Sequence, residues 1–221
     1  MGVAGNASLT SYGIGSSLPA SNGDRDDLIV GGSLTYNTGQ VFAGNAVYEI
    51  TASISNVGFP SGSLIQGMPV SFANECANLQ QLSDNLCTLA GSNVAGSGNL
   101  QFSGADPSLN VFHVSAASLA NAYSIQISAP ANASVVINVT GGPAQIAHLG
   151  MTISGTDRSH VLWNFCGAAQ LTISGVAVEG SVLAPYTNVT FNNGQVNGTL
   201  ITRDLTGSGE SHNYRFSGCG L

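Results

Sequence analysis

The sequence contains very little charge and no lysine. Only 7% of its 221 residues are charged, and four arginines face 11 acidic residues for a net charge of −7. A soluble domain typically has about 25% charged residues. Proteins that bind nucleic acids or anionic membranes place clusters of lysine and arginine against phosphate groups. The composition therefore excludes a nucleic-acid partner and a basic membrane-binding patch.

Long apolar runs and familiar catalytic motifs are also missing. No run approaches the roughly 20 apolar residues of a membrane span, so we expect none. No basic and apolar leader opens the sequence, which indicates either a cytosolic protein or a chain whose targeting segment has been removed. The four histidines are scattered, and neither H-E-x-x-H nor G-x-S-x-G occurs. We predict that the protein is not an enzyme and holds no cofactor.

The sequence is instead rich in glycine and in short apolar clusters that repeat. Residues 34–44 and 189–198 share one pattern: an apolar residue, Thr, an aromatic residue and Asn, followed by Gly-Gln-Val. Strand starts at Val161, Val182 and Leu200 lie 21 and 18 residues apart. Short strands between Gly and Asn corners at this spacing are typical of a β-solenoid, whose stacked coils bury their apolar sides together. We therefore predict an all-β fold. Six apolar residues should be buried in it: Leu34, Val41, Leu171, Ile173, Val189 and Leu200.

One segment has helical spacing. Between Pro69 and Ala90 the apolar residues recur every three or four positions, which places them on one stripe of a helix. The opposite face is polar, so we expect one long α-helix, about 69–90, packed alongside the solenoid. The predicted organisation is a single domain over residues 1–221 with this flanking helix.

The four cysteines lack the paired spacing of a zinc site and are disulfide candidates: Cys76, Cys87, Cys166 and Cys219. A continuous helix would separate Cys76 from Cys87 by about 16 Å, more than the roughly 7 Å that a disulfide allows between Cα atoms. Cys76 and Cys87 can therefore each pair with Cys166 or Cys219, or stay reduced. We expect at least one disulfide between the helix region and the C-terminal part, as in an exported protein.

Two further patterns suggest sites. Asp24, Asp26 and Asp27 carry oxygen ligands for Ca²⁺ but lack the spacing of an EF-hand loop. We interpret them as a solvated turn, with a metal site as the alternative. Five sequons, about the number expected by chance, are glycosylation candidates: Asn6, Asn132, Asn138, Asn188 and Asn197.

A threonine flanked by apolar residues recurs along the chain. Side chains alternate between the two faces of a strand, so these threonines point outward if their neighbours point inward. In stacked coils they would form one column, about 4.8 Å apart, as a ligand-binding or ice-binding face. The predicted members are Thr10, Thr35, Thr152, Thr172, Thr190 and Thr206.

Several stretches resemble the choice-of-anchor A domain, an adhesin-like family of secreted or surface-displayed domains. These stretches are residues 26–34, 111–114, 137–141, 162–165, 180–185 and 207–214. The C-terminal coils are also similar to ice-binding β-solenoids with a flanking helix. The resemblance implies an extracellular, right-handed β-solenoid. Members of this family generally have another strand or two before the coil that begins here at Val3, so we expect an N-terminal trim, and the mode of attachment after Leu221 stays open.

These observations favour a non-catalytic, adhesin-like domain of a secreted or cell-surface protein. Its expected partners are an extracellular surface, a matrix protein or a polysaccharide, and self-association stays open. The alternative is an ice-binding protein that uses the threonine column. Adhesion is preferred because a single column is narrower than the double threonine rows expected for strong ice binding.

Overall fold

Parallel strands make up most of the chain in a computed structural model, which describes residues 1–218. Strands hold 54% of the residues and helices 11%. The chain divides into two compact units, Met1–Cys76 and the part from Ala77 onward. The predicted predominance of β-structure is confirmed.

The first unit contains two parallel sheets, with strand orders β1-β3-β5-β7 and β2-β4-β6. Its strands are β1 (Gly2–Val3), β2 (Ala7–Ile14), β3 (Asp26–Val30), β4 (Leu34–Val41), β5 (Asn45–Tyr48), β6 (Ala52–Gly58) and β7 (Leu64–Gln66). Ile29 pairs with Val47 and Val47 with Ile65, so the chain returns to the same sheet after 18 residues.

The core of the first unit consists of the inward side chains of both sheets. Leu28 and Val30 of β3 are fully buried, as are Tyr36 and Val41 of β4. The hydroxyl of Tyr36 donates to the carbonyl of Tyr12 on the neighbouring strand, which satisfies the one polar atom of this buried ring.

Helix α1 (Phe72–Cys87) begins in the first unit and ends in the second. It is three residues shorter at each end than the predicted segment 69–90. In the second unit Leu86 is only 2% exposed and packs with Val136, Leu162 and Leu183. The predicted apolar stripe is therefore confirmed for the C-terminal half of the helix.

The second unit begins with the rest of α1 and continues through 14 strands. They are β8 (Ser92–Val94), β9 (Gly98–Ser103), β10 (Leu109–Ser115), β11 (Ala122–Ala129), β12 (Ser134–Thr140), β13 (Ala144–Ala147), β14 (Gly150–Gly155), β15 (Val161–Cys166), β16 (Gln170–Ser174), β17 (Ala177–Glu179), β18 (Ser181–Asn192), β19 (Gln195–Asn197), β20 (Leu200–Gly207) and β21 (Glu210–His212). A short helix, α2 (Ala116–Ala120), and a 3₁₀ turn (Arg158–His160) lie between strands and were not predicted.

These strands form three parallel sheets. Their orders are β8-β10-β12-β15-β18-β16-β13, with β20 also paired to β18, then β9-β11-β14 and β17-β19-β21. The long strand β18 belongs to two sides of the unit, because its first part pairs with β15 and its second part with β16. Val182 pairs with Leu200, as the predicted repeat requires, but its partner on β15 is Trp163 and not Val161.

Aromatic and branched side chains fill the core of the second unit. The fully buried Trp163 meets Phe102 edge to face, with 5.8 Å between ring centroids, and its Nε1 donates to the carbonyl of Glu179. Leu171 and Val189 are buried as expected. Leu200 is only half-buried because β20 is the last strand of its sheet.

The two similar sequence segments share a local backbone feature, although the first lies mostly within β4 and the second passes from β18 to β19. After Asn37 and Asn192 the backbone turns through a left-handed residue, Thr38 (φ 60°) in one and Asn193 (φ 51°) in the other. In the first segment Gly39 follows, where an added Cβ would lie 2.1 Å from the carbonyl oxygen of Tyr12. Only glycine fits there, so the repeated Gly marks a corner that packs backbone against backbone.

A disulfide joins Cys87 at the end of α1 to Cys166 at the end of β15, with 5.9 Å between the Cα atoms. This confirms the expected link between the helix region and the C-terminal part. Cys76 is a free, exposed thiol. Cys219 lies outside the described residues.

Within residues 1–218 no helix is long and apolar enough to cross a bilayer.

Candidate binding surface

The outward face of sheet β2-β4-β6 carries only hydroxyl and amide side chains. Leu34 and Tyr36 point into the core, so the alternate residues of each strand point outward. Three columns cross the strands, and we call them array 1: Asn6, Ser33, Thr51; Ser8, Thr35, Ser53; and Thr10, Asn37, Ser55.

Sheet β9-β11-β14 has a similar outward face in the second unit. Leu100, Phe102, Ile125 and Ile127 are buried beneath it. The alternate residues form array 2, whose columns are Asn99, Ser124, Gly150; Gln101, Gln126, Thr152; and Ser103, Ser128, Ser154.

A third face lies on β13, β16, the second part of β18 and β20. Its central column brings Gln145, Thr172, Thr190 and Thr206 into register. The columns on either side complete array 3: Gln170, Asn188, Asp204; and Ala147, Ser174, Asn192. The rows on β16 and β18 thus have an amide, a threonine and a second small polar residue in turn.

The prediction that six threonines form a single column is wrong. All six side chains are exposed, but only Thr172, Thr190 and Thr206 share a column. Thr10 and Thr35 lie in different columns of array 1, and Thr152 lies in array 2. Apolar flanking residues show which side of its strand a threonine occupies, but not to which sheet that strand belongs.

Charge is almost absent from these faces. Of the 15 charged residues in the chain, Asp204 is the one member of the three arrays, and it sits on the last strand, β20. Beside it, Arg203 donates to Asn188 Oδ1 at 2.7 Å. Apart from these two residues of β20, the charges lie on turns and irregular segments, on α1 and near strand ends, so the arrays are almost uncharged hydrogen-bonding surfaces.

A fourth outward face is covered instead of open. On β12, β15 and the first part of β18 the outward residues Val136, Leu162 and Leu183 are apolar and lie under α1. This face is closed by the helix and offers no regular polar surface.

Two buried asparagines bind the helix to this covered face. Asn138 and Asn164 pair across β12 and β15, and Asn164 Nδ2 donates to Asn138 Oδ1 at 2.9 Å. Asn138 Nδ2 donates to the carbonyl of Leu86, while Ser83 Oγ donates to Asn164 Oδ1 at 2.7 Å. We call Ser83, Asn138 and Asn164 the asparagine clasp.

A family model matches residues 1–213, and its description is "Putative Ice-binding-like adhesive domain". The chain belongs to this family.

Solved structures of ice-binding proteins are similar to the chain. One, from an Antarctic biological consortium, has 17% identity over 87% of this chain and 88% of its own, with a TM-score of 0.46. Those from the Antarctic ascomycete Antarctomyces psychrotrophicus and from an Arctic yeast (a glycosylated protein) have 12% and 14% identity. Each covers 99% of this chain, and they cover 95% and 92% of their own, with TM-scores of 0.44 and 0.46. No curated protein matches the chain.

The choice-of-anchor A resemblance is not among these matches. What the comparisons support is the broader family, an ice-binding-like adhesive domain. A family of this kind indicates a non-catalytic role at a surface or outside the cell, which agrees with the Cys87–Cys166 disulfide.

The acidic cluster near the start of β3 is held by internal contacts. Arg25 Nε lies 2.6 Å from the buried Asp27 carboxylate, which raises the pKa of the arginine. Asp26 accepts from Asn45 Nδ2 at 3.0 Å, and Asp24 is exposed. In the described part of the chain, no three His, Cys, Asp or Glu residues could hold a metal together.

Two of the glycosylation candidates are buried. Asn138 is fully buried in the clasp, and Asn197, 2% exposed, donates to Glu179 Oε1. In the folded state neither side chain can carry a glycan, because the attachment nitrogen is enclosed and hydrogen-bonded. Asn6, Asn132 and Asn188 are exposed and stay candidates.

The closest approach to a catalytic grouping is Asp157, Ser159 and His160. Ser159 Oγ and His160 Nδ1 both bond the same oxygen, Asp157 Oδ1, and the serine hydroxyl in particular lowers the pKa of this carboxyl. A nucleophilic relay would instead need the histidine between serine and aspartate. Asp157 caps the 3₁₀ turn, because its side chain accepts from the backbone N–H of Ser159, and Ser159 and His160 belong to the turn itself.

Proposed function

We propose that the protein is a non-catalytic adhesive domain that attaches to an uncharged, ordered surface outside the cell. The observation that carries this proposal is the near absence of charge from three regular outward arrays, in which Asp204 is the one charged member. Hydroxyl and amide groups both donate and accept hydrogen bonds, so they can match a surface that presents both. Contact without charges also avoids the desolvation penalty of ionic groups.

The arrays repeat at the spacing of the strands. Neighbouring rows are about 4.8 Å apart, and alternate residues along a strand are about 6.7 Å apart. Such a lattice fits a target that is itself periodic and rigid. A crystalline polysaccharide or a fibrous matrix protein has these properties, and adhesion to such a target is the function that we favour.

Ice is the second candidate. The in-register threonines Thr172, Thr190 and Thr206 favour it, as do their polar neighbours, because the array is wider than the one-residue column that the sequence predicted. Ice binding would use the same face and the same absence of charge.

Adsorption to defined solids tests the proposal. We expect the purified protein to sediment with cellulose, chitin or collagen fibres, or to adsorb to a growing ice surface, with little change between about 50 and 500 mM salt, because uncharged contacts are not screened. Thr190→Tyr places a bulky ring in the centre of array 3 and should reduce retention several-fold. The matched control is Asn78→Tyr on the exposed face of α1.

The outcomes separate the candidates. Retention on cellulose, chitin or collagen without ice shaping supports adhesion, whereas ice shaping that Thr190→Tyr removes supports ice binding. Equal retention of wild type and Thr190→Tyr on every solid would show that array 3 is not the contact face. Absence of retention on all four solids would contradict the proposal.

The finer assignments are proposals as well. We infer a β-solenoid because parallel strands return to the same sheets after 18 residues in both units, and a right-handed one because connections between parallel strands are almost always right-handed. A single cooperative domain over 1–221 predicts one unfolding transition by calorimetry. Membership of the choice-of-anchor A group is also a proposal. Mass spectrometry of protein from its native source can examine secretion and the use of Asn6, Asn132 or Asn188 for glycans.

A further inference from the structure

We propose that the second unit has two independent contact faces, arrays 2 and 3, and that it bridges two pieces of the same uncharged, ordered solid. This inference rests on the proposed function and extends it from attachment to cross-linking. It adds array 2 as a site, of which the threonine pattern of the sequence indicates only Thr152.

The two arrays face away from a common core. Leu100 and Ile125, beneath array 2, belong to the same buried cluster as Leu171 and Val189, beneath array 3. Each sheet turns its inward side toward that cluster, so its array turns outward on a different side. One flat surface therefore cannot contact both arrays at once, whereas two surfaces can.

Each array has its own limits along the stack of strands. Array 2 ends at β14, because the next strand on that side is β17, where Glu179 forms an ion pair with Arg158 at 3.0 Å. Array 3 begins at β13, because helix α2 occupies the place before it and packs against β13. The two arrays meet at a corner through His148 and Leu149, between β13 and β14.

The size of each array favours a rigid solid over a protein partner. Three strands and three columns cover roughly 300 Å² at the usual strand spacings, and the fourth strand of array 3 adds about 100 Å². A stable protein interface buries about 800 Å² on each partner, and the core of such an interface is enriched in aromatic and apolar groups. A rigid solid loses little conformational freedom on contact, so it can be held by a small preformed array.

Particle bridging tests this inference in the full-length chain. All variants carry Thr35→Tyr, which blocks the centre of array 1, and the probes are suspended cellulose microcrystals and ice crystals in annealed sucrose solution. We compare Gln126→Tyr in array 2, Thr190→Tyr in array 3 and both together. The measurements are the adsorbed fraction and the clumping of particles by light scattering.

We expect each single-array variant to keep adsorption, lowered about two- to five-fold, and to lose clumping. The variant with both changes should lose adsorption and clumping together. Gln126→Glu, which adds a charge at nearly constant shape, should act as Gln126→Tyr does and guards against a folding defect. Circular dichroism checks that each variant is folded.

Two results would overturn the inference. If Gln126→Tyr and Gln126→Glu leave both adsorption and clumping unchanged, array 2 is not a contact face while the proposed function stands. If the Thr35→Tyr protein adsorbs but never clumps particles, the faces do not bridge. Wild-type protein that adsorbs to no solid at all would remove both the inference and the proposed function.

Discussion

The two parts of strand β18 show how the surroundings of the fold select its outward residues. In the first part Leu183 points outward and lies under α1, whereas in the second part Thr190 points outward and is exposed. The inward neighbours, Val182 and Val189, are equally buried in both parts. The outward residues of this strand are therefore apolar where a helix covers them. They are polar and uncharged where no residue that the structure describes covers them.

This difference between the covered and the open part of β18 indicates which surface has a functional role. The covered face is fixed by burial, by the asparagine clasp and by a disulfide, so its sequence is explained by stability. The open arrays have little such internal role, yet Asp204 is their one charged member, although a solvated surface normally tolerates charge. Substitutions on the covered face should therefore change stability, and substitutions on the open arrays should not.

Removing the disulfide should weaken the covered face most. Cys87→Ser with Cys166→Ser opens a link between residues 79 positions apart, and loop entropy predicts a loss of about 4 kcal/mol. Urea unfolding followed by circular dichroism measures it. Cys76→Ser, which removes the exposed free thiol, is the control and should change stability by less than about 0.5 kcal/mol. Equal effects of the two variants would contradict the prediction.

Truncating the helix anchor should follow. Leu86→Ala removes a side chain that is 2% exposed and leaves a cavity against Leu162 and Leu183, which should destabilise the protein by about 3 kcal/mol. The exposed Asn78→Ala on the same helix is the control. A change for Leu86→Ala as small as that of the control would mean that the helix is not held by this contact.

Loss of the clasp should cost about 2 kcal/mol. Asn164→Ala leaves Ser83 Oγ and Asn138 Oδ1 without their partner in a buried place. Asn164→Asp gives a pH-dependent test. Burial raises the pKa of the new carboxyl above its value in the unfolded state. This variant should therefore be least stable near pH 7, and its stability should increase as the pH falls toward 4. Stability measured at both pH values decides, and a loss independent of pH would argue against a dry clasp.

The smallest change in stability is expected for an apolar substitution on the exposed part of β18, and the opposite substitution under the helix is its counterpart. Thr190→Leu should alter stability by less than about 0.5 kcal/mol, because the site is exposed. Leu183→Thr, its counterpart under the helix, should lose about 2 kcal/mol through lost burial. Thermal unfolding of the two variants side by side measures the contrast, which similar losses would abolish.

Much of the fold follows from local sequence pattern. The stripe of residues on α1, the buried positions Leu34 and Leu171 and the repeated corner all depend on neighbours in sequence, and each was predicted. The disulfide partner of Cys87 could be restricted but not chosen, since it depends on the register of β15 under the helix.

The candidate site was predictable only in part, for the same reason. Thr190 and its outward direction follow from alternation within a strand, but the array needs the partners Thr172 and Thr206 from other strands. Asn138 shows the opposite failure: its sequon is a local pattern, while its burial is decided by Leu86, 52 residues earlier. Serine and glutamine in array 2 gave no signal, because they are ordinary residues of a solvated strand.

The 18-residue step has an evolutionary consequence. Val182 pairs with Leu200 at the same interval that separates Ile29, Val47 and Ile65. An in-frame tandem duplication of one such stretch would copy a corner, a core position and one row of an outward array together. All remaining residues would stay on the same face of their sheet as before. A lineage can therefore lengthen the contact face one row at a time by gene duplication, without redesigning the core.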